Sequence, residues 1–434
     1  MSSHHEGVSR TVSKRFYRGP LGPHMDGFLA RLVEEGYALE TVRYKRGLLA
    51  SLSDWLEQRK LDISDIEEKR LRQFLADRYR RVQVDCLDRF TLQQLLGYLR
   101  DLGHIARVPQ KVDRTALGKL TRDYSNFLSL ERGLASLTST DHLRTMRRFI
   151  AKHFKRQPLH LERLRPHHLH RFILREAKRV GRRRIKAIIT SLRSFLRFLT
   201  QRGIIKTDLA AGLPSVADWR FSQLPKSLPP EDVKRLLDCC DRSAPSGVRN
   251  YAILLLLARL GLRAGEVRTL TLDDLDWERG EIVVHGKGGR LDRLPLPKDV
   301  GQAVASYLRR GRPPCSTRFV FIRRSAPLRG LGRTAISNMV RRALEHAELN
   351  PDFKGAHLLR HSLATNMLRQ RATLSEIGQI LRHAELRTTQ IYAKLDIEAL
   401  RGIAPPWMGD TYEQVTKRAQ RVPGHTARAR IQAV

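Results

Sequence analysis

The chain has 434 residues, 81 of them Lys or Arg and 44 Asp or Glu, for a formal net charge of +37. With 41% hydrophobic residues it can bury ordinary cores, which excludes a disordered polycation, and its length predicts two or three domains. A compact fold carrying this much self-repulsion is best accommodated beside a polyanion, so nucleic acid is the expected partner. The longest apolar run, Tyr251 to Ala258, is far short of the ~20 residues that cross a bilayer. The start, MSSHHEGVSRTVSKR, lacks the apolar stretch of a secretory signal. The sequence therefore predicts no membrane partner and a cytoplasmic, nucleoid-associated protein. Cys86, Cys239, Cys240 and Cys315 are too few and too irregular for a disulfide framework or a paired-cysteine zinc site, and are expected to be reduced thiols.

Residues 1–24 read as an N-terminal tail, after which the chain repeats itself at an offset of 98 residues. Leu39, Thr41, Arg46, Leu52 and Leu56 fall on Leu137, Ser139, Arg144, Ile150 and Phe154, and the hydroxyls of Thr41 and Ser139 are candidates to cap a helix start. Leu61, Ile63, Ile66, Leu71, Phe74 and Leu75 fall on Leu159, Leu161, Leu164, Leu169, Phe172 and Ile173 without a gap. After a two-residue insertion, Leu92, Leu96, Tyr98, Leu99 and Gly103 meet Leu192, Leu196, Phe198, Leu199 and Gly203. Steps of three and four between matched positions predict two all-α modules of four or so amphipathic helices each, residues 25–110 and 115–215. Their charges differ. Residues 25–110 hold 15 basic and 14 acidic residues, net +1, while 141–206 hold 20 basic and 3 acidic, net +17. The second copy, with Arg182, Arg183, Arg184 and Lys186 in one run, is therefore the expected phosphate-facing module. The first is left with either a local DNA-binding patch or a protein contact surface.

Gly212, Pro214, Pro225, Pro229 and Pro230 interrupt helical periodicity from Ala210 to Pro230, and the linker proper is set at 216–230. A third domain, 231–410, follows, then a basic C-terminal tail, 411–434. The third domain reads as helices near Glu231–Cys240 and Asn250–Leu260, a short extended region, then a hairpin whose strands are Glu281–His285 and Leu291–Leu296 around a Gly-Lys-Gly-Gly turn. Further helices are expected near Arg333–His346, Leu358–Gln370, Leu374–Leu381 and Thr388–Leu395. The fold class is mainly α: tandem helical modules plus a mixed α/β domain with a small antiparallel sheet.

The third domain gathers the residue types that break and remake a phosphodiester without metal or water: Arg263, Lys287, His357, Arg360, His383 and Tyr392. Arginine donates two bonds to one phosphate and keeps its proton, which suits neutralising the nonbridging oxygens of a pentacovalent state. His357 and Arg360, three apart, can share a helix face. Lys287 lies among Gly286, Gly288 and Gly289, where backbone can approach DNA, and Arg290 is a further candidate contact. An ammonium can protonate a departing oxygen and a phenol can form the covalent link. The segments Gly-Leu-Arg263-Ala-Gly-Glu266, Gly-Lys287-Gly, His357-Leu-Leu-Arg360-His-Ser and Leu-Arg-His383, with Tyr392 nine residues on, resemble the boxes of the tyrosine recombinase (phage integrase) family.

That resemblance covers Leu228 to Leu400, and more weakly Ala116 to Trp219 as the family's core-binding module. It implies Tyr392 as nucleophile, Arg263 and Arg360 as phosphate clamps, Lys287 as general acid, His383 as a donor to the scissile phosphate and His357 as a proton-transfer or phosphate-binding group. His361 is expected to point elsewhere in a structural role, with exchange of the two histidines left open. The family often has glycine before the position of His383, where this chain has Arg382. The resemblance also implies a C-shaped clamp on double-stranded DNA, a homotetramer exchanging strands through a Holliday junction, accessory proteins, packing of Ile397–Trp407 on a neighbouring subunit, and no cofactor or metal. A mobile-element integrase or transposase is the leading reading. A type IB topoisomerase-like relaxation activity and a noncatalytic DNA-binding relative are the alternatives. His160, His167, His168 and His170 sit among arginines without cysteine or paired carboxylate and read as a surface cluster rather than a metal site.

Overall fold

The computed structural model describes residues 18–80, 86–106, 113–154, 159–216, 226–286, 288–383, 385 and 388–395. Four helices build the first helical unit: α1 (Gly22–Glu34), α2 (Leu39–Gln58), α3 (Glu68–Tyr79) and α4 (Cys86–Asp101). Four more build the second: α5 (Ala116–Asn126), α6 (Ser136–Phe154), α7 (Pro166–Ala177) and α8 (Arg182–Gln201). The repeat holds to the residue in places. The short 3-10 turns Ile63–Asp65 and Leu161–Arg163 and the helices α3 and α7 lie 98 positions apart at both ends. The matched pairs Leu52/Ile150, Leu56/Phe154, Ile66/Leu164, Leu71/Leu169, Phe74/Phe172, Leu92/Leu192, Leu96/Leu196 and Leu99/Leu199 are all buried, each in its own cluster. Burying a side chain of this size contributes about 1.5–3 kcal/mol, so the pairing of patterns reflects two cores of one design. Gly103 and Gly203 both end their last helix at positive φ, the left-handed stop that glycine adopts freely.

Two matched positions behave differently from expectation. Leu39 and Leu137 are 66% and 52% exposed, because each sits at the first turn of its helix outside the packed stripe. Thr41 and Ser139 do not cap: they lie inside α2 and α6, which begin two or three residues earlier. Ser139 Oγ instead donates to the Leu134 carbonyl at 3.4 Å.

The third unit packs α9 (Pro230–Asp238), α10 (Pro245–Arg259), α11 (Ala264–Thr269), α12 (Lys298–Ser306), α13 (Ala335–His346) and α14 (His357–Arg369) against a three-stranded antiparallel sheet. The sheet order is β1 (Leu275–Asp276), β2 (Glu281–His285), β3 (Leu291–Pro295), with His285 opposite Leu291 and Glu281 opposite Pro295. Ile282 and Val284 turn inward, as alternation requires. The short β1 lies in the extended region expected before the hairpin, and the helices α11 and α12 add to the elements expected from sequence. α15 (Leu374–Ile380) and a 3-10 turn, Gln390–Leu395, complete the described chain; the latter replaces the expected helix. The α1–α2 turn docks on the third unit. Leu328 N–H donates to the Glu35 carbonyl at 2.7 Å, and at Gly36, φ +82°, a Cβ would stand 2.4 Å from Leu328. No helix among the described residues is long and apolar enough to cross a membrane.

Candidate active site

The apolar helix α10 stops at Gly261, whose φ of +57° reverses the chain, and Arg263 then serves as the N-cap of α11. Glu266, at the third position of that helix, holds Arg263 twice. Its Oε2 accepts the Arg263 backbone N–H at 2.8 Å and its Oε1 accepts the guanidinium at 2.6 Å. The Arg263 side chain stays 34% exposed while the Glu266 carboxylate is almost fully buried. Burial alone would push the Glu266 carboxyl up, but the bonds from Arg263 and the charges of Arg382 and Arg263 hold it below the usual range.

Helix α14 supplies the next group. Its first residue, His357, is exposed, and Arg360, one turn further, is 5% exposed. The Arg360 guanidinium donates one arm to the Gly261 carbonyl and the other to the Leu381 carbonyl. It therefore joins the turn that carries Arg263 to the turn that carries His383. Burial, then the charges of Arg263 and Arg382, pulls Arg360 down to about 10, which leaves it charged at neutral pH. Although part of its surface is open to solvent, the His357 ring is crowded enough by the surrounding protein to lose hydration, and this, followed by Arg360, Arg263 and Arg183, lowers it.

Tyr392 is 1% exposed, its ring packed with Ala364, Ile377 and Leu381. Its hydroxyl lies 2.8 Å from Nδ1 of His361. Burial raises the phenol to about 12 and lowers His361 to about 4, so at neutral pH a protonated phenol faces a neutral imidazole and can donate to it. This corrects the sequence expectation that His361 points elsewhere. Spacing carried the signal: His361 is four residues from His357, which shares a helix face as well as three does, and the two rings stand edge to face at 6.4 Å. His383 Nδ1 lies 2.8 Å from the Thr389 hydroxyl, and burial followed by Arg360 and Arg263 holds His383 at about 4.

Glu266, Arg382 and Thr389 also belong to the site, although residue type and spacing alone do not mark them as site residues. Arg382 is 6% exposed at φ +53°, and its guanidinium donates to Glu266 Oε2 at 2.9 Å. Lys287 lies outside the described residues, as do Ile397–Trp407 and 411–434. After Lys287 in sequence, Gly288 and Gly289 have φ of +81° and +78°, and Arg290 is exposed with Nε donating to Asp292 at 2.8 Å. On the second helical unit, Arg182, Arg183 and Arg184 are exposed in the first turn of α8, and Arg183 is near enough for its charge to act on His357. Lys186, one turn along, is half-buried. The histidine cluster also includes His153: the His153 and His167 ring centroids stand 4.2 and 4.0 Å from that of His168. Among the described residues no group of three or more His, Cys, Asp or Glu is placed to hold a metal ion.

The cluster thus presents two arginines, three neutral imidazoles and a phenol from four separated segments, a set able to neutralise a phosphodiester and attack it. The profile described as the phage integrase family matches residues 226–398, and that described as the phage integrase N-terminal SAM-like domain matches 122–203. A putative integrase/recombinase, y4rA, of Sinorhizobium fredii is 40% identical over 394 residues, covering 90% of this chain and 96% of that protein. Tyrosine recombinase XerD of Mycobacterium tuberculosis is 30% identical over 304 residues, 66% of this chain and 95% of that one. The crystal structure of the XerH site-specific recombinase bound to palindromic difH substrate, a post-cleavage complex, is similar in fold with a TM-score of 0.52 and 21% identity, covering 69% of this chain and 90% of that one. The chain belongs to the phage integrase family of tyrosine recombinases, and is a DNA strand-transferring enzyme.

Proposed function

We propose that the protein cuts and rejoins double-stranded DNA at specific sites through a 3′-phosphotyrosine intermediate, on behalf of a mobile element as an integrase or transposase. The Tyr392 oxygen attacks the scissile phosphorus, the bond to the 5′ oxygen breaks, and the phosphate stays on the 3′ end joined to the enzyme. Arg263 and Arg360 neutralise the nonbridging oxygens, His383 donates to the phosphate, His357 binds it or moves a proton, and Lys287 protonates the departing 5′ oxygen. The ester retained in the intermediate lets a second DNA end rejoin without an external energy source, so no cofactor or metal enters the scheme.

The observation that carries this reading is the Arg360 fork, because one buried guanidinium holding the Gly261 and Leu381 carbonyls ties together the turns that carry Arg263 and His383, and Leu381 packs in turn against Tyr392. DNA lies, in this proposal, between α8 and the catalytic unit, where Arg182, Arg183, Arg184, Lys186 and Arg290 contact phosphates. Residues 115–215 act as the core-binding domain and 231–410 as the catalytic domain. The enzyme works as a homotetramer on two duplexes. Because the Tyr392 ring is buried, attack requires the Gln390–Leu395 turn to release it.

The test is a nicked suicide duplex labelled at the 5′ end of the cleaved strand. The wild-type enzyme gives a labelled covalent adduct and a free 5′ hydroxyl, and Tyr392→Phe gives none while binding DNA with unchanged affinity. An undiminished adduct removes Tyr392 from its role, and supercoil relaxation by a monomer without site preference would favour the topoisomerase reading instead.

A further inference from the structure

Arg382 occupies a costly position. A left-handed φ of +53° disfavours any residue with a Cβ by about 1–2 kcal/mol, and the guanidinium is nearly excluded from water, its side chain only 3% exposed. Glycine would meet neither difficulty. The compensation is a buried carboxylate: Glu266 Oε2 accepts from Arg382 at 2.9 Å, while the same carboxylate accepts the Arg263 backbone N–H and, through Oε1, the Arg263 guanidinium. The Leu260 and Ile380 carbonyls, each at 3.4 Å, accept from the same Arg382 nitrogen as one another. On its other edge Nε has no hydrogen-bond partner, with Asp292 Oδ2 of β3 at 3.9 Å.

The charges in this chain of contacts are consequential. A buried Glu266 paired with Arg263 alone is neutral overall, and in a low-dielectric pocket such a pair attracts a phosphate far less than a free guanidinium does. With Arg382 on the far side of the carboxylate, the Arg263–Glu266–Arg382 triad carries +1, and Asp292, 3.9 Å from Arg382, does not cancel it because Arg290 pairs with that carboxylate at 2.8 Å. Arg263 can then be held rigidly by Glu266 and still present a net positive field to an incoming phosphodiester.

We infer that Arg382 is a positioning residue for strand cleavage, offsetting the charge of Glu266 so that Arg263 is both oriented and left effectively cationic toward the scissile phosphate. This rests on the proposed phosphodiester chemistry, which the wild-type control tests separately. Arg382 itself touches neither Tyr392 nor, on this view, the DNA; it acts through Glu266.

The experiment measures first-turnover cleavage on two suicide duplexes carrying the site mapped for the wild-type enzyme, one with an ordinary scissile phosphodiester and one with a methylphosphonate there, which removes the negative charge that Arg263 neutralises. On the phosphodiester, Arg382→Gln and Arg382→Gly slow cleavage about 10²-fold, the scale of a lost oxyanion donor, with DNA affinity within about threefold. On the methylphosphonate both variants fall within about threefold of wild type, as Arg263→Ala does. Arg382→Lys, which keeps the charge, recovers most of the phosphodiester rate and decides the matter should the other two fail to fold. Equal slowing on both substrates, no slowing on the phosphodiester, or a lysine variant as slow as the glutamine one would each overturn the inference. A wild-type enzyme that forms no Tyr392-dependent adduct on the phosphodiester would instead overturn the proposed reaction.

Discussion

Replacing Arg182, Arg183 and Arg184 together by Gln separates electrostatic design from mere surface charge. All three are exposed in the first turn of α8, behind Gly181, which provides no side-chain cap, and no acidic residue shares that turn. Cations there oppose the helix macrodipole at about 0.3–1 kcal/mol each, so folding alone disfavours them. If each contacts a phosphate, each releases about 0.9 counterions. The slope of log K against log salt should then fall in magnitude by about 2.7, and at about 0.15 M salt the lost term is about 3 kcal/mol, roughly 150-fold in affinity. The two effects have opposite signs: the variant binds DNA more weakly yet melts no lower than wild type, because relief at the helix start favours the fold. Fluorescence anisotropy with an arbitrary labelled duplex suffices, since this part of binding ignores sequence, titrated from about 50 to 300 mM salt. A slope within about half a unit of wild type would place α8 away from DNA and refute the proposed clamp.

Two further outcomes follow from the site itself. His361 and His383 titrate near 6.5 when unfolded and about 4 when folded, so the unfolded chain binds more protons between those values and stability falls as pH drops from 6.5 toward 4, by on the order of 2 kcal/mol at about pH 5 for the more buried His361 and by less for His383, whose greater exposure to solvent screens the effect. Denaturant midpoints at pH 7 and pH 5 read this, and a His361→Gln/His383→Gln variant that keeps the full wild-type drop would refute the assignment. At Gly261 a Cβ would stand 2.7 Å from Leu381 and 3.1 Å from Leu363, on top of the left-handed φ, so Gly261→Ala should cost about 2–4 kcal/mol. Calorimetry of the full chain checks this, and an unchanged melting temperature would show that the turn relaxes freely.

What the sequence makes legible is what local periodicity and spacing encode. The repeat emerges because both copies bury the same stripe, and a leucine at a matched position is informative only when it faces a core: Leu52 and Ile150 do, Leu39 and Leu137 do not. The boxes are legible as residue types, since each carries its own chemistry. The partnerships among them are not, because they join segments far apart in the chain and depend on backbone atoms that no residue letter specifies. Arg360 reads as a phosphate clamp, yet its guanidinium is committed to the carbonyls of Gly261 and Leu381, groups present at every position of any sequence. Arg382 reads as a mere departure from glycine until Glu266 is found 116 positions away at 2.9 Å. His361 could have been recovered, since four-residue spacing from His357 puts it on the same face, but its partner, the Tyr392 hydroxyl, comes from 31 residues further on. Cationic groups that the sequence offers as independent phosphate ligands are therefore bound into one scaffold, and substitutions at any of them should couple to the others more strongly than their separate roles suggest.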